Sequence, residues 1–280
     1  MPSLVGSEMC IRDRCMVELL HYIVRRNGRR RIHLCGGGKI MIPKVIHYCW
    51  FGSNPYPKIV KDCIKTWKKY CPDYEIKLWD ESNYDISKNE WLRNAYNSKK
   101  WAFVSDYARL DIIFNEGGIY LDTDVELIKT LDDLLHYNCF LAIENENAGL
   151  INTGIGFGAV KNHPAIKEML NEYNSLVFSE NNVMGLLCPE LNTKPFLREG
   201  YKNGAKEIQT INDATILPAE YFDPKDGNLS ELHITKNTHG IHLGSRLWET
   251  GLTRWKAKVR MFIGIERCRK IKRLYKWIER

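Results

Sequence analysis

Two aspartates, Asp122 and Asp124, are the residues of this chain whose type and spacing point most directly to chemistry. They follow a short apolar run, residues 119–121, that reads as a strand, and in extended backbone their carboxylates would point the same way. Two close carboxylates repel each other unless a cation lies nearby, and carboxylate oxygens suit Mg²⁺ or Mn²⁺. The spacing therefore predicts a divalent-cation site at a strand end, where open α/β sheets bind ligands.

A second pair of charges, Asp106 and Arg109, precedes the aspartates on a helix predicted over residues 101–116. Three residues separate them along the helix, so they share a face. Gly117 and Gly118 end this helix and turn the chain into the apolar strand. The alternatives are an exposed helical ion pair, worth about 0.3–0.5 kcal/mol, and aspartates that serve only as turn or cap residues.

The surrounding pattern alternates between strands and helices. Strands are predicted by short apolar runs at residues 44–50, 74–79, 119–121, 140–144 and 154–160. Helices are predicted at residues 57–70, 101–116 and 163–176. This order is typical of an α/β fold, and predicts a mostly parallel sheet flanked by helices.

Charge is distributed unevenly along the 280 residues. Residues 1–40 hold eight Lys and Arg against three Asp and Glu, residues 254–280 hold eleven against two, and residues 41–253 hold 22 against 29. An acidic centre with basic ends argues against nucleic-acid binding, which places the basic face on the folded domain. The sequence has no run of 18 apolar residues, so no membrane-spanning helix is expected. No secretory signal is expected either. Nine cysteines without a Cys-x-x-Cys pair favour a reducing cytosol.

Three regions are predicted from this distribution. Residues 1–40 resemble a translated sequencing adapter at their start, so we expect a non-native extension, the alternative being a real disordered basic tail. Residues 41–253 are predicted to form the folded domain. Residues 254–280 are predicted to be a basic amphipathic helical tail that lies on an anionic membrane surface, unless its apolar stripe packs on the domain.

Asp106-x-x-Arg109, followed by Gly-Gly-x-Tyr-Leu-Asp-x-Asp, is similar to the sugar-binding region with a DXD motif of glycosyltransferase family 32. That family includes bacterial capsular and lipopolysaccharide sugar transferases and yeast mannosyltransferases, and it is related to the clostridial glucosylating toxins. The opening residues 42–52 resemble the first strand of the family, and the resemblance extends to about Trp248. It implies a nucleotide-sugar transferase domain of the GT-A type, with a Rossmann-like mixed sheet.

The resemblance also implies roles for individual residues at the donor site. Trp50 would stack on the nucleotide base, unless it is a core aromatic, while Asp106 and Arg109 would contact the donor sugar. Asp122 would contact ribose and sugar hydroxyls, and Asp124 would coordinate the metal on the diphosphate. Both aspartates are thus candidate catalytic residues.

A later loop and the end of the domain complete this implied site. Asn152 lies in a segment similar to a sugar-pocket loop, although Asn-Thr-Gly is also ordinary turn chemistry. The segment with His242, Ser245 and Trp248 is similar to one that reaches the metal and diphosphate, with His242 as a metal ligand. Leu247 stands before the tryptophan where the family usually has Ser, so the metal ligand set stays open.

The predicted function is therefore metal-dependent transfer of a hexose, with retention, from a nucleotide sugar to a polysaccharide or lipid-linked glycan. UDP-hexoses are the first expectation for the donor and GDP-mannose the second, in capsule or lipopolysaccharide synthesis. We expect a cytoplasmic protein, peripheral on the inner face of the membrane. The alternatives are a haloacid-dehalogenase-like phosphatase that uses the Asp-x-Asp, and a non-enzymatic membrane-bound scaffold. Glu126 occupies the place where such phosphatases usually have Thr or Val.

Overall fold

The computed structural model describes residues 41–144, 149–179, 187–204, 206–225 and 232–245. The predictions for residues 1–40, for residues 254–280 and for Trp248 lie outside these ranges. Within them, no helix is both long and apolar enough to cross a bilayer.

Helices and strands alternate through the first half of the described chain, as the sequence predicted. The strands are β1 (Val45–Cys49), β2 (Glu75–Trp79), β3 (Gly118–Tyr120), β4 (Val125–Leu127), β5 (Cys139–Ala142), β6 (Phe157–Ala159), β7 (Gln209–Ile211), β8 (Ala214–Leu217) and β9 (Gly240–His242). The helices are α1 (Lys58–Tyr70), α2 (Glu90–Asn97), α3 (Trp101–Glu116), α4 (Pro164–Asn174) and α5 (Cys188–Arg198).

The main sheet of the described residues has seven strands in the order β2-β1-β3-β6-β5-β8-β7. Strands β2, β1 and β3 are parallel, β6 is antiparallel to both of its neighbours, β8 is parallel to β5, and β7 is antiparallel to β8. Five strands thus run one way and two run the other. The predicted mixed, mostly parallel sheet is confirmed.

Two hydrophobic cores cover the two faces of this sheet. Alternate residues of one strand enter different cores, because successive side chains of a strand point to opposite faces. Ile119 packs with α1 residues such as Trp67, whereas Tyr120 packs with α2, α3, α4 and α5. The carboxyl end of β3, where Asp122 follows, is therefore supported from both sides.

The turn from α3 into β3 depends on glycine and on a buried histidine. Gly117 and Gly118 have φ values of 71° and 105°, which L side chains rarely adopt. The His47 Nε2–H donates to the Gly117 carbonyl at 2.9 Å, and Trp79 Nε1 donates to His47 Nδ1 at 2.9 Å. Burial lowers the pKa of His47 to about 4, so the ring is a neutral structural group at physiological pH.

A small second sheet brings the far end of the described chain to the aspartates. Strand β4 pairs antiparallel with β9, with Val125 opposite His242. Trp67 on α1 donates from its indole nitrogen to the Val125 carbonyl at 2.8 Å, which fixes β4 against the helix. Residues 240–245 are thereby placed next to Asp124.

Candidate donor-sugar and metal site

Asp106, Arg109 and Asp122 form a buried charge cluster. The guanidinium of Arg109 lies 2.7 Å from Asp106 Oδ1 and 3.5 Å from Asp122 Oδ1. Only 7% of Asp106 and 3% of Arg109 is exposed, so the alternative of an exposed helical pair is wrong. Breaking a buried pair of this kind leaves an uncompensated charge, which costs far more than a surface pair contributes.

Burial and charge act in opposite directions on the two carboxylates of this cluster. Burial raises the pKa of Asp106 to about 6, although Arg109 opposes the shift. Burial also raises the pKa of Asp122, with Asp124 adding to it and Arg109 again opposing. Arg109 thus opposes the effect of burial on both carboxylates, which suits a guanidinium that can face two carboxylates at once.

Asp122 has further partners that the sequence did not single out. The hydroxyl of Tyr120 donates to Asp122 Oδ1 at 3.0 Å, and the Asp122 backbone N–H donates to the Gly154 carbonyl at 2.9 Å. The Tyr120 ring also lies 5.2 Å from the Arg109 guanidinium carbon. The only signal for Tyr120 was its place in the Gly-Gly-x-Tyr-Leu-Asp string.

The loop before β6 closes over this cluster. A Cβ on Gly154 would overlap Asp122 Oδ2 and lie 2.7 Å from an Arg109 nitrogen, so only glycine fits there. Asn152 Oδ1 accepts from the Gly154 N–H at 2.8 Å. The predicted strand 154–160 is shorter than expected, Phe157–Ala159, because residues 152–155 form a turn in which the Ile155 N–H donates to the Asn152 carbonyl. Asn152 thus lies beside the charge cluster, and its role in a sugar pocket stays a prediction.

The backbone between Asp122 and Asp124 is a turn, and the expectation of extended backbone there is wrong. Residues 122–125 form a turn, in which the Val125 N–H donates to the Asp122 carbonyl at 3.0 Å. Whereas Asp122 contacts Tyr120 and Arg109, Asp124 Oδ2 accepts from both the N–H and the hydroxyl of Ser245, each at 2.8 Å. The motif thus supplies one carboxylate to the buried cluster and one to a neighbouring polar site.

The Asp124 site fits a divalent cation. His242 Nε2 lies 3.6 Å from Asp124 Oδ1, and both side chains are largely buried. An oxygen and an imidazole nitrogen facing each other suit Mn²⁺, and the bonds from Ser245 orient the carboxylate. The described residues contain no cluster of three or more His, Cys, Asp and Glu that could hold a metal alone. The remaining ligands would then be waters and phosphate oxygens, as is common for Mg²⁺ and Mn²⁺.

Trp50 follows β1 at the same end of the sheet and lies outside both hydrophobic cores. The side chain is half-buried, its indole nitrogen donates to the Asn54 carbonyl at 2.7 Å, and Tyr56 packs edge-on against it at 5.0 Å. The alternative of a core aromatic is therefore not supported. The role of Trp50 in base stacking stays a prediction.

Parts of this chain are similar to known proteins. Residues 57–141, which include Asp106, Arg109, Asp122 and Asp124, match the family described as glycosyltransferase sugar-binding region containing DXD motif. Inositol phosphoceramide mannosyltransferase 3 of Schizosaccharomyces pombe is 33% identical over 142 residues, which cover 49% of this chain and 39% of that protein. The alpha-1,4-N-acetylglucosaminyltransferase of Homo sapiens is 31% identical over 137 residues, covering 47% and 36%.

The solved structure of the PaToxG glycosyltransferase overlaps 57% of this chain and 70% of its own, at 20% identity and a TM-score of 0.47. This chain spans less than half the length of the two curated relatives. The match of residues 57–141 confirms the resemblance to the glycosyltransferase sugar-binding region with a DXD motif that was expected from the sequence. The expected mixed, mostly parallel sheet with flanking helices is also present.

Proposed function

We propose that this protein transfers a hexose from a nucleotide sugar to a polysaccharide or lipid-linked glycan, with a bound divalent cation and with retention. The observation that carries the proposal is that the two aspartates contact different groups in two neighbouring sites. Asp122 joins the buried cluster with Arg109, and Asp124 faces His242 in an adjoining polar site. A sugar and a diphosphate, linked to each other, need two such adjoining sites.

The buried cluster is suited to bind the hydroxyls of a sugar. Carboxylates accept hydrogen bonds from hydroxyls, and the guanidinium donates to hydroxyl oxygens. Because Arg109 is fixed between Asp106 and Asp122, its fork is oriented before any ligand arrives. The role of Asn152 would be to complete this pocket from the loop that holds Gly154.

Asp124 and His242 would hold Mn²⁺ or Mg²⁺, with Ser245 orienting the carboxylate. The cation, when bound, supplies Lewis-acid stabilisation of the charge that develops on the leaving nucleoside diphosphate. Trp50 would stack on the base, and Trp248 would contribute to donor binding.

Retention is implied by the family resemblance and requires a covalent carboxylate intermediate or attack on the same face. Asp122 is a poor candidate for the nucleophile because Arg109 and Tyr120 already engage its oxygens. The same contacts disfavour the phosphatase alternative, in which Asp122 would attack phosphorus. The family match likewise favours a transferase over a non-enzymatic scaffold.

The two curated relatives are named for different sugars, mannose and N-acetylglucosamine, and the first is named for inositol phosphoceramide. We keep UDP-hexoses as the first candidates and GDP-mannose as the second. We also propose a role in capsule or lipopolysaccharide synthesis, at the cytoplasmic face of the membrane.

Donor hydrolysis across a panel of nucleotide sugars with Mn²⁺ tests this function. UDP-glucose, UDP-galactose, UDP-N-acetylglucosamine and GDP-mannose are compared, together with p-nitrophenyl phosphate. We expect hydrolysis of at least one nucleotide sugar, its loss in Asp124→Ala, and normal rates in the control Asp73→Ala, an exposed carboxylate in the turn after α1. Turnover of p-nitrophenyl phosphate that Asp122→Asn abolishes would instead support the phosphatase.

A further inference from the structure

Glu144 is a half-buried carboxylate close to the donor-sugar cluster, and nothing above assigns it a role. It follows β5 at the same end of the sheet at which Asp122 follows β3, because these strands run in the same direction. Its Oε2 accepts a hydrogen bond of 2.7 Å from Asn152 Nδ2. Glu144 therefore touches one of the residues that form the sugar pocket.

The contacts of Asn152 determine which way its amide points. A carboxylate only accepts hydrogen bonds and a backbone N–H only donates, so the amide NH₂ must face Glu144 and the amide oxygen must face Gly154. Each of these two hydrogen bonds alone would determine the orientation of the Asn152 amide, and both require the same orientation. Without Glu144 the amide would keep only its bond to the Gly154 N–H.

The Gly154 peptide links the Asn152 amide to the charge cluster. Its N–H is held by Asn152, and its carbonyl accepts from the Asp122 N–H. Its Cα lies so close to Asp122 and Arg109 that a methyl group would overlap both. A shift of this peptide would thus move the wall of the pocket against the two charged side chains.

The rest of the loop is held separately by α5. Thr193 Oγ1 accepts from the Ile151 N–H at 2.9 Å, and Asn192 Nδ2 donates to Thr153 Oγ1 at 2.8 Å. Both α5 residues are fully buried. Because these bonds anchor the loop independently of Glu144, the loop should keep its place when the Glu144 carboxylate is removed.

We propose that Glu144 is a positioning residue for the donor sugar, which locks the Asn152 amide so that the Gly154 peptide stays against Asp122 and Arg109. The proposal rests on the proposed glycosyltransferase function. It assigns Glu144 no direct part in bond breaking. Loss of Glu144 should therefore weaken binding of the sugar part of the donor and leave binding of the nucleoside diphosphate part unchanged.

An exchange of donor and acceptor tests this role. Asn152→Asp places two carboxylates side by side, whereas Glu144→Gln combined with Asn152→Asp restores both hydrogen bonds with the chemistry reversed and the net charge unchanged. In that double variant the glutamine amide at position 144 can donate to the carboxylate at position 152, which still accepts from the Gly154 N–H. Neither a nucleophilic nor a purely packing role of Glu144 would be rescued in this way.

Calorimetry with Mn²⁺ would compare each nucleotide sugar of the panel with its nucleoside diphosphate alone. We expect Glu144→Ala to weaken nucleotide-sugar binding about tenfold and Asn152→Asp to weaken it more. The double variant should recover at least about tenfold over Asn152→Asp. Diphosphate affinity should stay within about twofold throughout. Glu75→Gln, an exposed carboxylate at the start of β2, serves as the control.

Equal nucleotide-sugar affinity of Glu144→Ala and wild type would overturn the inference alone, and so would a double variant no better than Asn152→Asp. Parallel losses for sugar and diphosphate would also overturn it, because they would indicate a general disturbance. A wild-type protein that binds no nucleotide sugar of the panel would overturn the proposed function together with this inference.

Discussion

Ser245 donates two hydrogen bonds to one oxygen of Asp124 across 121 residues of sequence, from its backbone N–H and from its hydroxyl, each 2.8 Å long. Both bonds occupy Oδ2, so Oδ1 is the oxygen that faces His242. The pairing of β4 with β9 makes this possible, because it places Val125 opposite His242. The geometry of the candidate metal site is therefore built by contacts between the middle and the end of the described chain.

Loss of the Ser245 hydroxyl should weaken metal binding. In Ser245→Ala one of the two bonds that orient Asp124 is gone, and loss of such an outer partner typically costs about 10–100-fold in metal affinity. We expect the Mn²⁺ Kd, measured by calorimetry, to rise at least tenfold. Ser175→Ala, at an exposed position after α4, should bind Mn²⁺ like wild type. Unchanged affinity in Ser245→Ala would remove Ser245 from the site.

Gly154→Ala should strongly impair the use of the donor. The added methyl would overlap Asp122 Oδ2 and lie 2.7 Å from an Arg109 nitrogen, so it must displace a charged group of the pocket. We expect donor hydrolysis to fall at least about 100-fold, since a misplacement of about 1 Å can cost that much. Gly200→Ala, where a Cβ meets nothing within 4 Å, should hydrolyse donor normally. Comparable rates in the two variants would contradict the assigned pocket.

Gly118→Ala should destabilise the fold. Its Cβ would lie 2.7 Å from His47 Nε2, and His47 cannot move freely because Gly117 and Trp79 hold both ring nitrogens. Gly118 and Gly200 share a positive φ, so strain alone should cost about 1 kcal/mol in each. The overlap should cost Gly118→Ala about 2 kcal/mol more in the free energy of unfolding, measured in urea. If Gly118→Ala and Gly200→Ala lost the same free energy of unfolding, His47 would have moved to make room for the added methyl group.

The α/β fold and the polar cluster followed from local patterns in the sequence. The apolar period predicted α3 over residues 101–116, and the structure has a helix from Trp101 to Glu116. Because helical residues three apart share a face, the Asp106–Arg109 contact was also predictable. The glycine pair correctly marked the end of this helix.

The parts that the sequence did not predict depend on contacts between distant segments. The two carboxylates lie on a turn at residues 122–125, just before β4, and Asp124 meets Ser245 beside the pairing of β4 with β9, which no local period encodes. The links from Glu144 to Asn152 and from Tyr120 to Asp122 consist of common residue types whose roles depend on the folded loop. Burial of Arg109 likewise depends on packing from several helices.

Donor hydrolysis should decline in acid as Asp106 takes up a proton. Burial places its pKa at about 6, and a carboxylate accepts sugar hydroxyl hydrogen bonds best when ionised, above that value. We expect kcat/KM to fall as the pH drops below about 6, and the acid limb to shift to lower pH in Asp106→Asn. If kcat/KM declined at the same pH in wild type and in Asp106→Asn, the decline would come from a group other than Asp106.

The fold itself should not be the cause of that acid decline. The folded-state pKa of Asp106 lies above its usual value of 3.8, so ionised Asp106 is disfavoured in the folded protein at neutral pH. As the pH falls from about 6 towards 4, Asp106 takes up a proton in the folded protein and this penalty is relieved. The contribution of Asp106 to the free energy of unfolding therefore becomes more favourable to the folded state. Thermal unfolding measured at each pH separates the two effects.

Removal of residues 254–280 should abolish membrane attachment. The apolar stripe Ile271, Leu274, Tyr275 and Ile278 has the spacing of one helix face, and eleven Lys and Arg accompany it against two Glu. A basic helix with such a stripe lies in an anionic interface, and about 1 kcal/mol per cation near the surface suffices for reversible binding. In flotation with phosphatidylserine vesicles we expect the full chain to float and the truncated chain to remain below, with binding lost at high salt.

A matched variant separates membrane binding from packing on the domain. Lys272→Glu combined with Arg273→Glu keeps the length and the apolar stripe but reverses two charges, so it should float markedly less while its melting temperature stays that of the full chain. The alternative, a stripe that packs on the domain, predicts instead that the truncated chain melts at lower temperature or fails to fold. Equal flotation of the full and truncated chains would also refute the membrane role, because the attachment would then reside in residues 1–253.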